Sequence, residues 1–136
     1  TKRASKGRVS MIGYVTLGTN DLDRAARFYD KVAAEMGVGR MFEWPGAIAW
    51  GVQGGPASVA VMKPHDGNPA TVGNGVMVAL EASDKAQVDR LHALALANGG
   101  SCEGLPGPRG EGFYAAYFRD PDGNKLNAFV MGPAAA

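Results

Sequence analysis

Gly13-Tyr14-Val15-Thr16-Leu17-Gly18-Thr19-Asn20-Asp21 opens a pattern that returns as Val76-Met77-Val78-Ala79-Leu80-Glu81-Ala82-Ser83-Asp84. In each copy a short run of strand-favouring residues leads into a side chain suited to cap a helix, Asp21 or Asp84. Leu22, Ala25, Tyr29, Val32 and Met36 then recur at three- and four-residue spacing until Gly37, while Val88, Leu91 and Ala95 share a face until Asn98-Gly99-Gly100. Both runs read as amphipathic helices stopped by glycine. The spacing is constant: Tyr14 to Asp21 and Met77 to Asp84 are seven residues each, and Tyr14 to Gly37 and Met77 to Gly100 are 23 each. An offset of 63 superposes Val15 on Val78, Leu17 on Leu80 and Asp21 on Asp84, which marks an internal repeat.

Outward from the first copy, Arg40 to Trp44, Ala47 to Val52 and Ser58 to Met62 read as strands, separated by Pro45-Gly46 and Gln53-Gly54-Gly55-Pro56. The first unit is thus β-α-β-β-β. Residues 63–73, rich in Pro, Gly, Asp and Asn and without a period, form a connector. The second unit reads as a strand from Gly75 to Glu81, the capped helix, a loop rich in Gly and Pro to Gly112, and a strand from Phe113 to Arg119. The turn Asp120-Pro121-Asp122-Gly123-Asn124 and a strand from Lys125 to Val130 complete it. The expected fold class is α+β, one domain over 11–131 with modules at 11–62 and 74–131. Two tandem βαβββ modules would then form a curled mixed sheet around a cleft.

Composition excludes several function classes. With 136 residues, 46% of them hydrophobic and 20% charged, the chain is sized for one cored domain. Fourteen basic against 13 acidic residues leave a formal charge of +1, without the basic footprint of a nucleic-acid binder. Cys102 is the only cysteine and has no basic cluster beside it, so it reads as an inert thiol in a reducing compartment. No apolar run approaches the roughly 20 residues of a membrane span, and no hydrophobic stretch of the signal-peptide kind opens the chain. The expected location is the cytoplasm, with no membrane partner. Residues 1–10 carry Lys2, Arg3, Lys6 and Arg8 with Val9 as their only large apolar side chain, and read as a tail, as do residues 132–136.

Three stretches carry a family resemblance. They are residues 13–22 together with Arg27-Phe28-Tyr29, the connector's Lys63-Pro64-His65-Asp66-Gly67, and above all Arg119-Asp120-Pro121-Asp122-Gly123-Asn124-Lys125-Leu126. The chain resembles the vicinal oxygen chelate superfamily of glyoxalase I, bleomycin-resistance proteins and extradiol dioxygenases over nearly all of residues 11–131. The resemblance implies paired βαβββ modules around a cleft, often completed in a homodimer. It also implies a divalent metal held by a His in the first strand of each module and a carboxylate near the end of each. This sequence departs at those places: Tyr14 and Met77 replace the histidines, Asn127 replaces the last-strand carboxylate, and no acid lies between Gln53 and Lys63. A phenol, a thioether and a neutral amide are poor donors for a hard or borderline dication, so neither metal nor other cofactor is expected.

Strand alternation suggests what lines the cleft. With Val15 and Leu17 beneath the helices, Tyr14 and Thr16 face the other way and Met77 follows by the repeat. Tyr117 lies opposite Asn127 across the final hairpin, and Trp50 is placed in the cleft beside Ala60. His65 reaches the pocket mouth from the connector, and Arg109 in the loop 108–112 is suited to hold an anion, although both also fit solvated loops. His92, which the offset matches to Tyr29, reads as a packed helix residue. The expected partner is a small molecule. Two functions compete: a metal-independent binding protein of the bleomycin-resistance type for an aromatic or amphipathic compound, and a glyoxalase-like lyase or isomerase, or dioxygenase-related enzyme, with an atypical or absent metal site. In the enzyme Tyr14 or Tyr117 would serve as proton donor.

Overall fold

The computed structural model describes residues 10–136, so most of the expected N-terminal tail lies outside the described residues. The first module runs β1 (Tyr14–Gly18), α1 (Leu22–Glu35), β2 (Gly39–Trp44), β3 (Ala47–Gly51) and β4 (Ser58–Met62). The second runs β5 (Val78–Glu81), α2 (Lys85–Ala97), β6 (Ser101–Pro108), β7 (Phe113–Arg119) and β8 (Lys125–Met131), followed by one 3-10 turn over Gly132–Ala135. Each module makes its own four-stranded mixed sheet, ordered β1-β4-β3-β2 and β5-β8-β7-β6, and no strand pairing joins the two among the described residues. The first strand of each module is parallel to the last, Thr16 lying opposite Ala60 and Ala79 opposite Asn127.

The predicted caps form as the repeat requires. The Asp21 carboxylate accepts from the Arg24 backbone N–H at 3.0 Å, and the Asp84 carboxylate from that of Gln87 at 2.8 Å. The stop after α2 has two parts: Gly99 adopts φ +96°, and a Cβ on Gly100 would collide with the carbonyl oxygens of Arg119 and Ala95. Residues 101–108 correct the loop reading, because they form β6. This strand lies at the sheet edge and its register slips between Cys102 and Gly104 and again between Gly104 and Gly107. An edge tolerates a proline and bulged glycines that a central strand would reject. The last residues also do more than trail, since Ala135 packs against the core.

One core serves both modules. Leu17, Ile48, Trp50 and Val61 from the first sheet join Phe118, Leu126, Ala128 and Val130 from the second beneath the buried faces of α1 and α2. Trp50 is therefore on the helix side, not beside Ala60. It lies directly opposite Val59 in the β3–β4 pairing, and opposed residues share a face, so sending Val59 to the helix sends Trp50 with it.

The Asp120–Asn124 turn ties the second module to the start of the first. The Asp122 carboxylate accepts from Thr19 Oγ1 at 2.6 Å, from the Asn20 N–H at 2.9 Å and from Arg24 Nη2 at 2.8 Å. Asn124 donates to the Gly18 carbonyl at 2.9 Å, and the Tyr29 hydroxyl donates to Asp120 at 2.6 Å. Asp120, Asn124 and Thr19 are buried polar residues whose groups find partners within this network.

Candidate functional site

The two sheet faces turned away from the helices hold the positions where the family resemblance implies metal ligands. Tyr14 is 69% exposed and Met77 40% exposed, each at the start of its module. The parallel pairings make Ala60 the counterpart of Asn127, since Thr16 and Ala79 are repeat equivalents. The four places thus offer a phenol, a thioether, a methyl and an amide, and no group of three or more His, Cys, Asp or Glu capable of holding a metal occurs among the described residues. This donor set does not fit a divalent cation.

On the second sheet Tyr117 lies opposite Asn127, as alternation suggested. Two cations flank the phenol ring, with the Arg109 guanidinium 5.4 Å and Lys125 Nζ 5.5 Å from its centroid. Arg109 is held there by donating to the carbonyls of Leu105 at 2.6 Å and Gly107 at 3.0 Å. Asn127 is 2% exposed and its Oδ1 has no hydrogen-bond partner. The sequence reading found Tyr117, Asn127 and Arg109 but missed Lys125, which alternation from Asn127 would have placed on the same face. Thr16 and His65 are exposed, on β1 and in the connector.

His92 occupies the place of Tyr29 in the second helix and is likewise buried. Its Nε2 lies 3.2 Å from Cys102 Sγ, a contact between helix and edge strand that sequence spacing did not suggest. Burial pushes the imidazole pKa below its ordinary value, with Asp89 partly opposing.

A cavity of about 650 Å³ opens at the seam between the modules and wraps the edge strand β5, bordering both of its faces. Tyr29, Val32 and Met36 of α1 and Trp50 and Val59 of the first sheet form one wall, and residues 77–81 form the other. The Tyr29 and Trp50 rings lie 5.4 Å apart, centroid to centroid. Their polar tips are already engaged, Tyr29 with Asp120 and Trp50 Nε1 with Asp30 at 2.8 Å. Burial first, then the Asp120 charge, pushes the Tyr29 phenol well above its ordinary pKa. The Arg40 guanidinium, 2.8 Å from Asp30, holds that carboxyl below the usual range against a smaller effect of burial. Of the predicted site residues, Trp50 and Met77 line this cavity; Tyr117, Asn127 and Arg109 gather on the outer face of the second sheet.

The repeat explains why the seam is open here. The turn 52–57 between β3 and β4 is the counterpart of Asp120–Asn124, and it faces β5 across the cavity. Where that turn carries Asp120 and Asp122, this one reads Val52-Gln53-Gly54-Gly55-Pro56-Ala57 and holds no acid, and Ala82 stands where the first copy has Thr19. One seam is therefore bound by the acidic turn, whereas the other, among the described residues, is linked only where Glu35 accepts from Gln87 and Arg90 and is otherwise hollow.

Comparison with known proteins places these features in a family. The profile of the glyoxalase/bleomycin resistance protein/dioxygenase superfamily matches residues 11–128. Among solved structures the chain is similar to a glyoxalase/bleomycin resistance protein from Albidiferax ferrireducens T118, with 36% identity and a TM-score of 0.83 over 90% of this chain and 100% of that one. It shares its fold with a lactoylglutathione lyase from Agrobacterium tumefaciens, at 24% identity and a TM-score of 0.65 over 90% and 94% of the two chains. A fosfomycin resistance protein from Mesorhizobium loti, at 21% identity and 0.65 over 93% and 96%, has the same fold. A search of curated proteins finds no match.

Proposed function

Because the chain belongs to the glyoxalase/bleomycin resistance protein/dioxygenase superfamily and its donor set does not fit the family's metal, we propose that it is a metal-independent binding protein for a small aromatic or amphipathic molecule. The observation that carries this reading is the cavity of about 650 Å³, within the range of small-molecule sites and lined mostly by apolar and aromatic side chains. Trp50 and Met77 contact the ligand there. Tyr117, Asn127 and Arg109 form a second, polar patch on the outer sheet face, and Tyr14, Thr16 and His65 flank the clefts from exposed positions. The protein acts in the cytoplasm. A second copy covers the outer face of the first sheet, where Phe42 and Trp44 stack at 5.0 Å and stand 42% and 56% exposed.

The test is a thermal-shift screen with aromatic amphiphiles, run beside variants that fill the space, Val59→Phe and Val78→Phe. A ligand that binds only the native state raises the melting temperature. Shifts present in the native protein and lost in either folded variant support the reading; no shift with any compound overturns it. Elemental analysis of protein purified without chelator tests the metal. Near-stoichiometric Ni, Zn, Fe or Mn that disappears in Tyr14→Phe/Asn127→Ala would exclude the metal-free reading.

One observation favours the enzymatic alternative, a lyase or isomerase: Tyr117 stands beneath two cations and beside the unpartnered Asn127 amide. Turnover of a candidate substrate that is abolished in Tyr117→Phe, in protein that still unfolds at the native temperature, would select it.

A further inference from the structure

Glu81 is the one carboxylate lining the seam cavity. It stands at the end of β5, is exposed to solvent, and takes part in no ion pair or side-chain hydrogen bond among the described residues. The other polar groups of the lining are either committed or weak. Tyr29 and Trp50 spend their hydroxyl and indole N–H on Asp120 and Asp30, and the Ser10 hydroxyl donates to the Ile12 carbonyl at 2.9 Å. A ligand in this space meets the Tyr29 and Trp50 rings and aliphatic side chains on the helix side and, around the edge of β5, a single unpaired carboxylate.

Resting on the reading that this cavity binds a small molecule, we propose that its ligand is an organic cation, an amine with an apolar body. The body lies against Tyr29 and Trp50, and the ammonium group pairs with Glu81. An anion of the same shape is repelled by that carboxylate, and a neutral analogue gains only the apolar contacts. The expected preference is set by the exposure of Glu81. A solvent-exposed ion pair contributes little, so the amine should bind about fivefold more tightly than its neutral analogue, not hundreds of times.

The test uses three probes with one apolar body, 4-phenylbutylamine, 4-phenylbutanol and 4-phenylbutyrate, titrated by calorimetry at neutral pH and low salt. The Trp44→Phe background leaves Trp50 as the single indole of the chain's two tryptophans, so fluorescence reports occupancy of the cavity. The expected affinity order is amine, alcohol, carboxylate. In Glu81→Gln the amine and alcohol should bind equally while the alcohol keeps its native affinity. If the alcohol binds, perturbs Trp50 and is displaced by Val78→Phe, yet the amine binds no more tightly, the cation proposal fails and the binding reading stands. Amine preference that survives Glu81→Gln also overturns the proposal, because the charge would then be read elsewhere. Failure of all three probes to bind overturns both.

Discussion

Replacing Asp122 by alanine should cost more stability than any exposed acid in the chain, because its side chain is 2% exposed and serves three donors from the other module. The Arg24 contribution is small: that guanidinium side chain is 42% exposed and can return to water, so the ion pair counts for less than about 1 kcal/mol. The larger loss comes from Thr19 and Asn20. The Thr19 residue is fully buried, and hydrogen bonds to a charged acceptor contribute roughly 1.5–3 kcal/mol each, without simple additivity. The sum expected for Asp122→Ala is about 3–4 kcal/mol, a large part of the roughly 5–15 kcal/mol by which a small domain is stable.

Urea unfolding followed by circular dichroism and by tryptophan fluorescence measures this loss. Both tryptophans, Trp44 and Trp50, lie in the first module, whereas the ellipticity reports both. Since a single core spans the modules, the two probes should give one coincident transition in the variant. Thr19→Val alone should cost about 1–2 kcal/mol, and the double variant with Asp122→Ala should lose less than the sum, because the two side chains share a bond. Arg24→Ala should cost under about 1 kcal/mol. A loss below about 1 kcal/mol for Asp122→Ala at an unchanged denaturant slope would refute the view that this turn binds the modules together.

Other perturbations follow from individual contacts. Asn127→Leu should be neutral or stabilising by about 1–2 kcal/mol, since it removes a buried acceptor without a partner; clear destabilisation in a urea melt would mean that the amide is satisfied. His92 has a folded pKa below its unfolded value near 6.5, so its contribution is present above that pH and lost as pH falls through the folded pKa. The melting temperature of the native protein should therefore drop between pH 7 and 5 more steeply than that of His92→Phe, and parallel curves would count against it. Gly100→Ala should destabilise by about 2–3 kcal/mol, because its Cβ would meet two carbonyl oxygens, whereas an unchanged melting temperature would show that the backbone yields there.

Most of the fold was legible because its signals are periodic and local. Helix faces recur at three and four residues, the aspartate caps occupy their expected places, and the 63-residue offset predicts the second module from the first. β6 was hidden by its own composition, for glycine and proline mark turns in isolation and only an edge position makes them tolerable in a strand. Trp50 shows a different limit. Its face was decided by pairing with Val59 across the β3–β4 hairpin, a register that the turn 52–57 constrained once Val59 was assigned. The Cys102–His92 contact depends on helix-to-strand packing, for which the sequence carries no local mark, whereas the face of Lys125 follows from alternation with Asn127.

The repeat fixes what should be alike, and the differences between its copies therefore show where the molecule departs from symmetry. Tyr29 and His92 occupy equivalent buried places, but the first reaches across the seam to Asp120 and the second reaches only within its own module to Cys102. Thr19, which meets Asp122, becomes Ala82, and the acidic turn becomes the acid-free turn 52–57. Each change removes a polar link across the same seam. Among the described residues this seam keeps polar links only at the end of α1, where Glu35 accepts from Gln87 and Arg90. The rest stays shut only if apolar side chains fill it, and here they surround about 650 Å³ of open space instead. Stability is thus concentrated at one junction of the modules and space at the other, which lets the same two-module scaffold hold together without closing the cavity. Of the places where the resemblance implies metal ligands, Tyr14, Met77 and Asn127, only Met77 borders the seam cavity, so that space does not depend on the donors this chain lacks.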